Sequence, residues 1–228
     1  MRTAATLLSL LALVSGCAAT ASPDKVSRPS WREEKLATLE QEKLSGHYES
    51  QWRAAQLCYE MADEDQGENR EKSQRKELVK RGLAHAERAT KLKPELVEGH
   101  FYKLILMGRL LELSTPEPVL VADLRDQGER TARLEGATTF ECDGAHRFLG
   151  VFYSECPETG PWGYGDLDKA DQNFQKALAS APDCPENFLA YAEFQYGKME
   201  NAEAARELAK KALEAVETHP GLSSEQRV

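Results

Sequence analysis

Catalytic signatures are missing from this 228-residue chain. No His-Glu-x-x-His and no Cys-x-x-Cys occurs, and the five histidines, His47, His85, His100, His146 and His219, are scattered. No metal centre, cofactor or enzymatic activity is therefore expected, because each needs donors, or a nucleophile with its base, at a defined spacing. Clustered positive charge is missing too. Lys and Arg number 29 against 38 Asp and Glu, for a net charge of -9, and phosphate neutralisation needs the opposite balance. That excludes a nucleic-acid partner. Long apolar runs are short of what a membrane needs: the N-terminal stretch from Ala4 to Val14 falls well below the about 20 residues of a spanning helix. Aromatic residues make up only 7% of the chain while charged residues make up 29%. This balance suits a helical solenoid with a charged solvent face.

What the chain does have is repeated spacing. In GAHRFLGVFYSECPETGPWGYGDLDKADQNFQKALASAP, residues 144–182, Leu149-Gly150-x-x-Tyr153 pairs a small residue with an aromatic one turn later. Ala170, Phe174, Ala177 and Pro182 follow as small, aromatic, small and helix-ending proline. These are the first-helix and second-helix signatures of the tetratricopeptide repeat (TPR), a helix-turn-helix unit of about 34 residues. Gly150 and Ala170 lie twenty residues apart where the repeat allows about twelve, so an insertion containing CPETGPWG lengthens the turn. Gly82, Ala86, Ala89 and Pro94 keep the second-helix spacing earlier in the chain, with Ala in place of the large residue.

In chain order, helical periodicity covers WREEKLATLEQEKL from Trp31, then HYESQWRAAQLCYEMA with Trp52, Ala55, Cys58, Tyr59 and Ala62 facing a core, then about 72–92. Pro94-Glu95 opens a strongly apolar helix that should be buried on two sides, ended by Thr115-Pro116-Glu117-Pro118. Its partner, about 119–134, carries only a weak echo of the small positions at Gly128 and Ala132. Pro185 begins a last unit, with a turn at residues 197–201 and a final helix carrying Ala205, Leu208, Ala209 and Ala212. The expected fold is all-α, an α-solenoid of about four TPR-like helical hairpins spanning residues 31–219, with a disordered tail at 220–228.

The N-terminus reads as an export signal. One arginine, the apolar stretch and Val14-Ser15-Gly16-Cys17 resemble a bacterial lipobox, giving a signal peptide at 1–16 and acylation at Cys17. Residues 17–30, small, polar and proline-containing, read as a lipid-anchored tether. Acyl chains anchor firmly at about 0.8 kcal/mol per buried CH₂. Ala18 follows the cysteine instead of an inner-membrane-retaining aspartate, so in a diderm organism the address is the periplasmic face of the outer membrane.

Cys58, Cys142, Cys156 and Cys184 remain beyond the anchor, in a compartment that permits disulfides. Four cysteines allow three complete connectivities. Cys142 precedes Gly150, and Cys184 precedes Ala192, by the same eight residues, which places this pair equivalently at the starts of neighbouring first helices and makes a Cys142–Cys184 disulfide the candidate bridge. Free buried thiols are the alternative, favoured at Cys58. In the inserted loop, GPWGYGD lacks the lysine and hydroxyl of a phosphate cradle. Trp162 and Tyr164 fold back on the hairpin while Asp166 caps the next helix, or else they form a contact surface. Counting groove-facing positions along the first helices brings Glu98, Phe101, Ile105, Arg147, Val151, Ser154, Glu193 and Tyr196. Of these, Phe101, Arg147, Glu193 and Tyr196, with Trp162 and Tyr164, are the candidate ligand or partner contacts; Arg147 pairs with a carboxylate or makes a surface ion pair.

GAHRFLGVFYSECP and GYGDLDKADQNFQKALASAPDCPENFLAYAEF resemble the signature region of the T component of TPR-associated TRAP transporters over about residues 140–196. The resemblance implies an all-helical lipoprotein that assembles as a homo-oligomer with a central pore. It also implies a periplasmic solute-binding protein as partner and a role in passing hydrophobic or carboxylated ligands to it. The alternative is a TPR scaffold for protein–protein contacts in envelope assembly.

Overall fold

A computed structural model describes residues 30–41, 46–64, 71–115, 117–135 and 139–218. The expected signal peptide, Cys17, the tether up to residue 29 and the 220–228 tail lie outside the described residues. Ser30, read from sequence as the end of the tether, already caps the first helix. Its hydroxyl accepts from the Glu33 N–H at 3.3 Å while the Glu33 carboxylate accepts from the Ser30 N–H at 2.7 Å. This reciprocal pair satisfies two backbone donors that a helix start leaves without partners.

The described residues are all-α and fall into two compact units that divide at residues 116–117. The first unit holds α1 (Trp31–Leu39), α2 (Tyr48–Glu64), α3 (Lys72–Leu92) and α4 (Val97–Glu112). Helix α3 packs on both α2 and α4. Gly82 makes that possible: a Cβ there would sit 2.8 Å from the Cys58 Cβ and 3.0 Å from Leu106 Cδ1. Leu36, Ala54, Leu57, Cys58 and Met61 form the core beside it, and burial pushes the Cys58 thiol up to about 12. Helix α4 starts at Val97, later than Pro94-Glu95, which form a turn, and packs closely on α3 at Gly99, where a Cβ would lie 2.9 Å from that of Ala89. As expected from its all-round apolar character, α4 is deeply buried.

The second unit holds α5 (Pro118–Glu135), a left-handed turn at Phe140–Cys142, α6 (Gly144–Glu155), α7 (Leu167–Ser180), α8 (Pro185–Gly197) and α9 (Ala202–Thr218). Pairs α6–α7 and α8–α9 are the two hairpins expected from the repeat spacing, and α6 also packs on α5 and α8. The two signatures meet where the pattern places them: a Cβ on Gly150 would lie 2.8 Å from the ring of Phe174, which is itself buried against Tyr191 and Phe194. Helices α4 and α5, read from sequence as one degenerate hairpin, belong to different compact units. Among the described residues no helix is long and apolar enough to cross a membrane.

The insertion between α6 and α7 is a closed turn. The Gly165 N–H donates to the Pro157 carbonyl at 2.9 Å and the Asp166 N–H to that of Tyr153 at 2.9 Å. Asp166 then caps α7 by accepting from the Lys169 N–H at 3.0 Å, as expected. A Cβ on Gly165 would collide with backbone, lying 2.8 Å from the Pro157 carbonyl carbon. Gly165→Ala is expected to destabilise the protein by about 1–3 kcal/mol in urea unfolding, since no side-chain rotation can relieve that clash. Gly197→Ala, with nothing within 4 Å, serves as the neutral control.

Candidate functional site

The second unit gathers most of the residues that sequence spacing proposes as contacts, and it sorts them. Val151 on α6 and Leu189, Glu193 and Tyr196 on α8 are exposed, with Tyr196 the most open at 70%. The last three stand four and three positions apart, hence on one helical face. Partial desolvation raises the Glu193 carboxyl above its ordinary value. At the C-terminal ends of the two helices, Lys198 Nζ approaches Glu155 Oε1 at 3.1 Å, tying α8 to α6. The result is an exposed apolar and aromatic stripe along α8 with a carboxylate inside it, beside the exposed Val151 of the adjoining α6.

Arg147 lies beside the stripe but its guanidinium is engaged. Nη1 donates to Asn187 Oδ1 at 2.6 Å and Nη2 to the Glu141 carbonyl at 3.3 Å. Its partners are thus an amide and a backbone oxygen. Ser154 is buried and returns its hydroxyl to the Val151 carbonyl at 2.9 Å. In the first unit, Phe101 is only 5% exposed and packs edge-to-face on Tyr102 with centroids 5.4 Å apart, so it stands in the core. Glu98 accepts from the Tyr48 hydroxyl at 2.8 Å.

The loop aromatics fold back on their own unit. Tyr164 packs against Phe152 with centroids 6.2 Å apart, and the Arg125 guanidinium lies 4.6 Å from its ring. Trp162 is half-buried, and its indole N–H is buried with no hydrogen-bond partner.

Sequence spacing did not reveal the polar knot between α5 and the start of α8. Glu141, Cys142 and Asp143 all take left-handed backbone, with φ of 47°, 60° and 55°. Such residues without a glycine cost roughly 1–2 kcal/mol each, so neighbours must hold them. Asn187, 1% exposed, does much of this: Nδ2 donates to the carbonyls of Cys142 at 2.9 Å and Ala177 at 3.0 Å. His146 Nδ1 lies 2.7 Å from Asp143 Oδ1. Burial opposes ionisation of Asp143, yet hydrogen bonding, from His146 foremost, outweighs it and holds the carboxyl well below the usual carboxylate range. Glu135 behaves oppositely. Burial, reinforced by a hydrogen bond to the Asp143 carboxylate and by its charge, pushes it up to about 10, and Oε2 accepts from the Ala145 N–H at 3.3 Å.

Two trios of potential metal donors converge here, Glu135/Asp143/His146 and Cys142/Cys184/Glu186, each with donor atoms within 4.8 Å of one another. Neither follows a linear motif, because the ligands come from separate elements. In the second, the Cys184 thiol donates to Glu186 Oε2 at 3.0 Å. None of Cys58, Cys142, Cys156 and Cys184 is disulfide-bonded in this structure.

A family profile described as "Regulator of microtubule dynamics protein 1-3" matches residues 26–117, less than half of the chain. No curated protein matches. Among solved structures, the crystal structure of MamA is similar, with a TM-score of 0.51 and 16% sequence identity, covering 83% of this chain and 88% of that one. At that identity the likeness shows the fold alone, a TPR-like α-solenoid.

Proposed function

We propose that this chain is a non-enzymatic binding scaffold of the bacterial envelope. It is anchored through acylated Cys17 at the periplasmic face of the outer membrane, and it docks an extended segment of a periplasmic solute-binding protein on the α6/α8 stripe. The observation that carries this reading is the exposed face of Val151, Leu189, Glu193 and Tyr196 on the first helices of two adjoining TPR-like hairpins. A TPR-like fold suits protein partners, since stacked hairpins leave a continuous surface for an extended chain. The resemblance to the T component of TRAP transporters, glycine-rich insertion included, favours a solute-binding protein as the partner and self-association into an oligomer. The residues that hold the surface in place, Arg147 and Asn187, do so by internal hydrogen bonds.

Cross-linking in native membranes, followed by affinity purification and mass spectrometry, tests the partner. Recovery of a periplasmic solute-binding protein is expected; recovery of cell-wall or envelope-assembly proteins alone would remove the transporter role and leave an assembly scaffold. Tyr196→Ala is expected to weaken capture of the recovered partner by roughly tenfold or more, with unchanged helical circular dichroism, because exposed aromatic anchors dominate such interfaces. Unchanged capture would move the interface away from α8.

A further inference from the structure

We propose that Cys142 and Cys184 are a dithiol that closes to a disulfide, clamping the left-handed turn to the start of α8. The native occupancy of that bond rests on the export reading of residues 1–17.

The pair is selected by geometry. The sulfur atoms lie within 4.8 Å of each other, a gap that rotation about the cysteine side chains can close. The two residues belong to different elements, the turn and the N-cap of α8, so the bond would tie together parts of the chain forty-two residues apart. The remaining cysteines are poorly placed to compete. Cys58 is fully buried within α2 of the first unit. Cys156 follows the far end of α6, about 18 Å along the axis from the helix start at 1.5 Å per residue. Other interactions already brace the turn against its backbone preference: Arg147 holds the Glu141 carbonyl, Asn187 the Cys142 carbonyl and His146 the Asp143 carboxylate. A covalent bond at the central residue completes that bracing.

Accessibility sets the order of events. Cys142 is partly exposed and Cys184 is 3% exposed. The Cys142 thiolate attacks a disulfide oxidant, either a thiol–disulfide oxidoreductase or oxidised glutathione, forming a mixed disulfide and releasing one thiol. The Cys184 thiolate then attacks the Cys142 sulfur and expels the second thiol. Two thiols of the protein become one disulfide, and two electrons and two protons pass to the oxidant. Hydrogen bonding to Cys142, burial and the Glu186 carboxylate all raise the Cys184 thiol, so the second step is slow near neutral pH and accelerates as pH rises.

The test uses the full-length protein in cell fractions, alkylated before and after reduction and read by peptide mass spectrometry. In the envelope fraction, the peptides carrying Cys142 and Cys184 should be recovered as one species that reductant separates, while Cys58 and Cys156 alkylate on unfolding without reductant. Free Cys142 and Cys184 in the envelope fraction would overturn the proposal, as would thiols freed by a metal chelator instead of reductant, since that would identify a metal on Cys142, Cys184 and Glu186. Recovery of the protein only in the cytosol would defeat the export reading, and purified protein incubated with oxidised glutathione then decides. Closure should make the protein two hydrogens lighter and raise its melting temperature on the order of ten degrees, a shift absent from Cys142→Ser and Cys184→Ser. Failure to close under those conditions would overturn it.

Discussion

Glu135→Gln is expected to stabilise the protein at neutral and alkaline pH and to leave it nearly unchanged near pH 5. Glu135 is 4% exposed, and burial with the adjacent Asp143 carboxylate raises it from about 4.5 to about 10. A carboxyl raised on folding contributes fully below its unfolded pKa and loses that contribution as pH rises toward the folded pKa. Between these values the folded protein holds a proton that the unfolded chain has released, so stability falls by up to about 1.4 kcal/mol per pH unit. Glutamine has the same shape and stays neutral. Its carbonyl can accept the Ala145 N–H, and its NH₂ can donate to Asp143 as the protonated Glu135 carboxyl does. The advantage of the variant should therefore widen with pH, reaching on the order of 4 kcal/mol by about pH 8. Urea unfolding across that range reads it directly. A constant difference at every pH would mean that Glu135 is not the group that binds the extra proton.

Asn187→Ala has the next largest expected effect, a loss of about 2–4 kcal/mol. The side chain is buried and satisfies the carbonyls of Cys142 and Ala177 while accepting from Arg147. Removing it strands these groups where water cannot easily replace it, and each stranded buried group costs about 1–3 kcal/mol. The Ala177 carbonyl keeps one partner, the Ala181 N–H at 3.0 Å, which tempers the sum. Asn187→Asp should not rescue stability, because it keeps the acceptor for Arg147 but replaces the donating amide with a carboxylate facing two carbonyl oxygens. A lowered urea midpoint at unchanged slope, with faster amide exchange in α6 and α8, is the expected pattern. If Asn187→Asp proved as stable as the parent, the contact with Arg147 alone would account for the role of Asn187.

These two residues show why part of the site escaped the sequence. Glu135 sits at the end of a helix whose repeat signal is weak, and nothing local marks it as buried. Asn187 reads as one polar residue after Pro185-Glu186 at a helix start. Each acquires its role from groups far along the chain: Glu135 from Asp143 and Ala145, Asn187 from Cys142, Arg147 and Ala177. Phe101 makes the same point in reverse, since its groove-facing spacing was correct for a repeat and its burial came from the packing of α4.

Without deciding the fate of α4 and α5 or the Ser30 cap, the sequence by itself determined the helical character of the chain, the α2–α3, α6–α7 and α8–α9 hairpins, and the Asp166 cap. These depend on short-range physics: apolar residues at three- and four-residue spacing, Asp166 and Pro185 at helix starts, and Gly150 paired by pattern with Phe174. Whereas the equivalent repeat positions of Cys142 and Cys184 were already legible, only the tertiary structure decided which polar groups would be buried together, that Arg147 would serve the turn, and that three consecutive residues would take left-handed backbone. Those outcomes follow from how neighbouring hairpins dock, which joins residues forty or more positions apart. Helical periodicity carries no record of such distances.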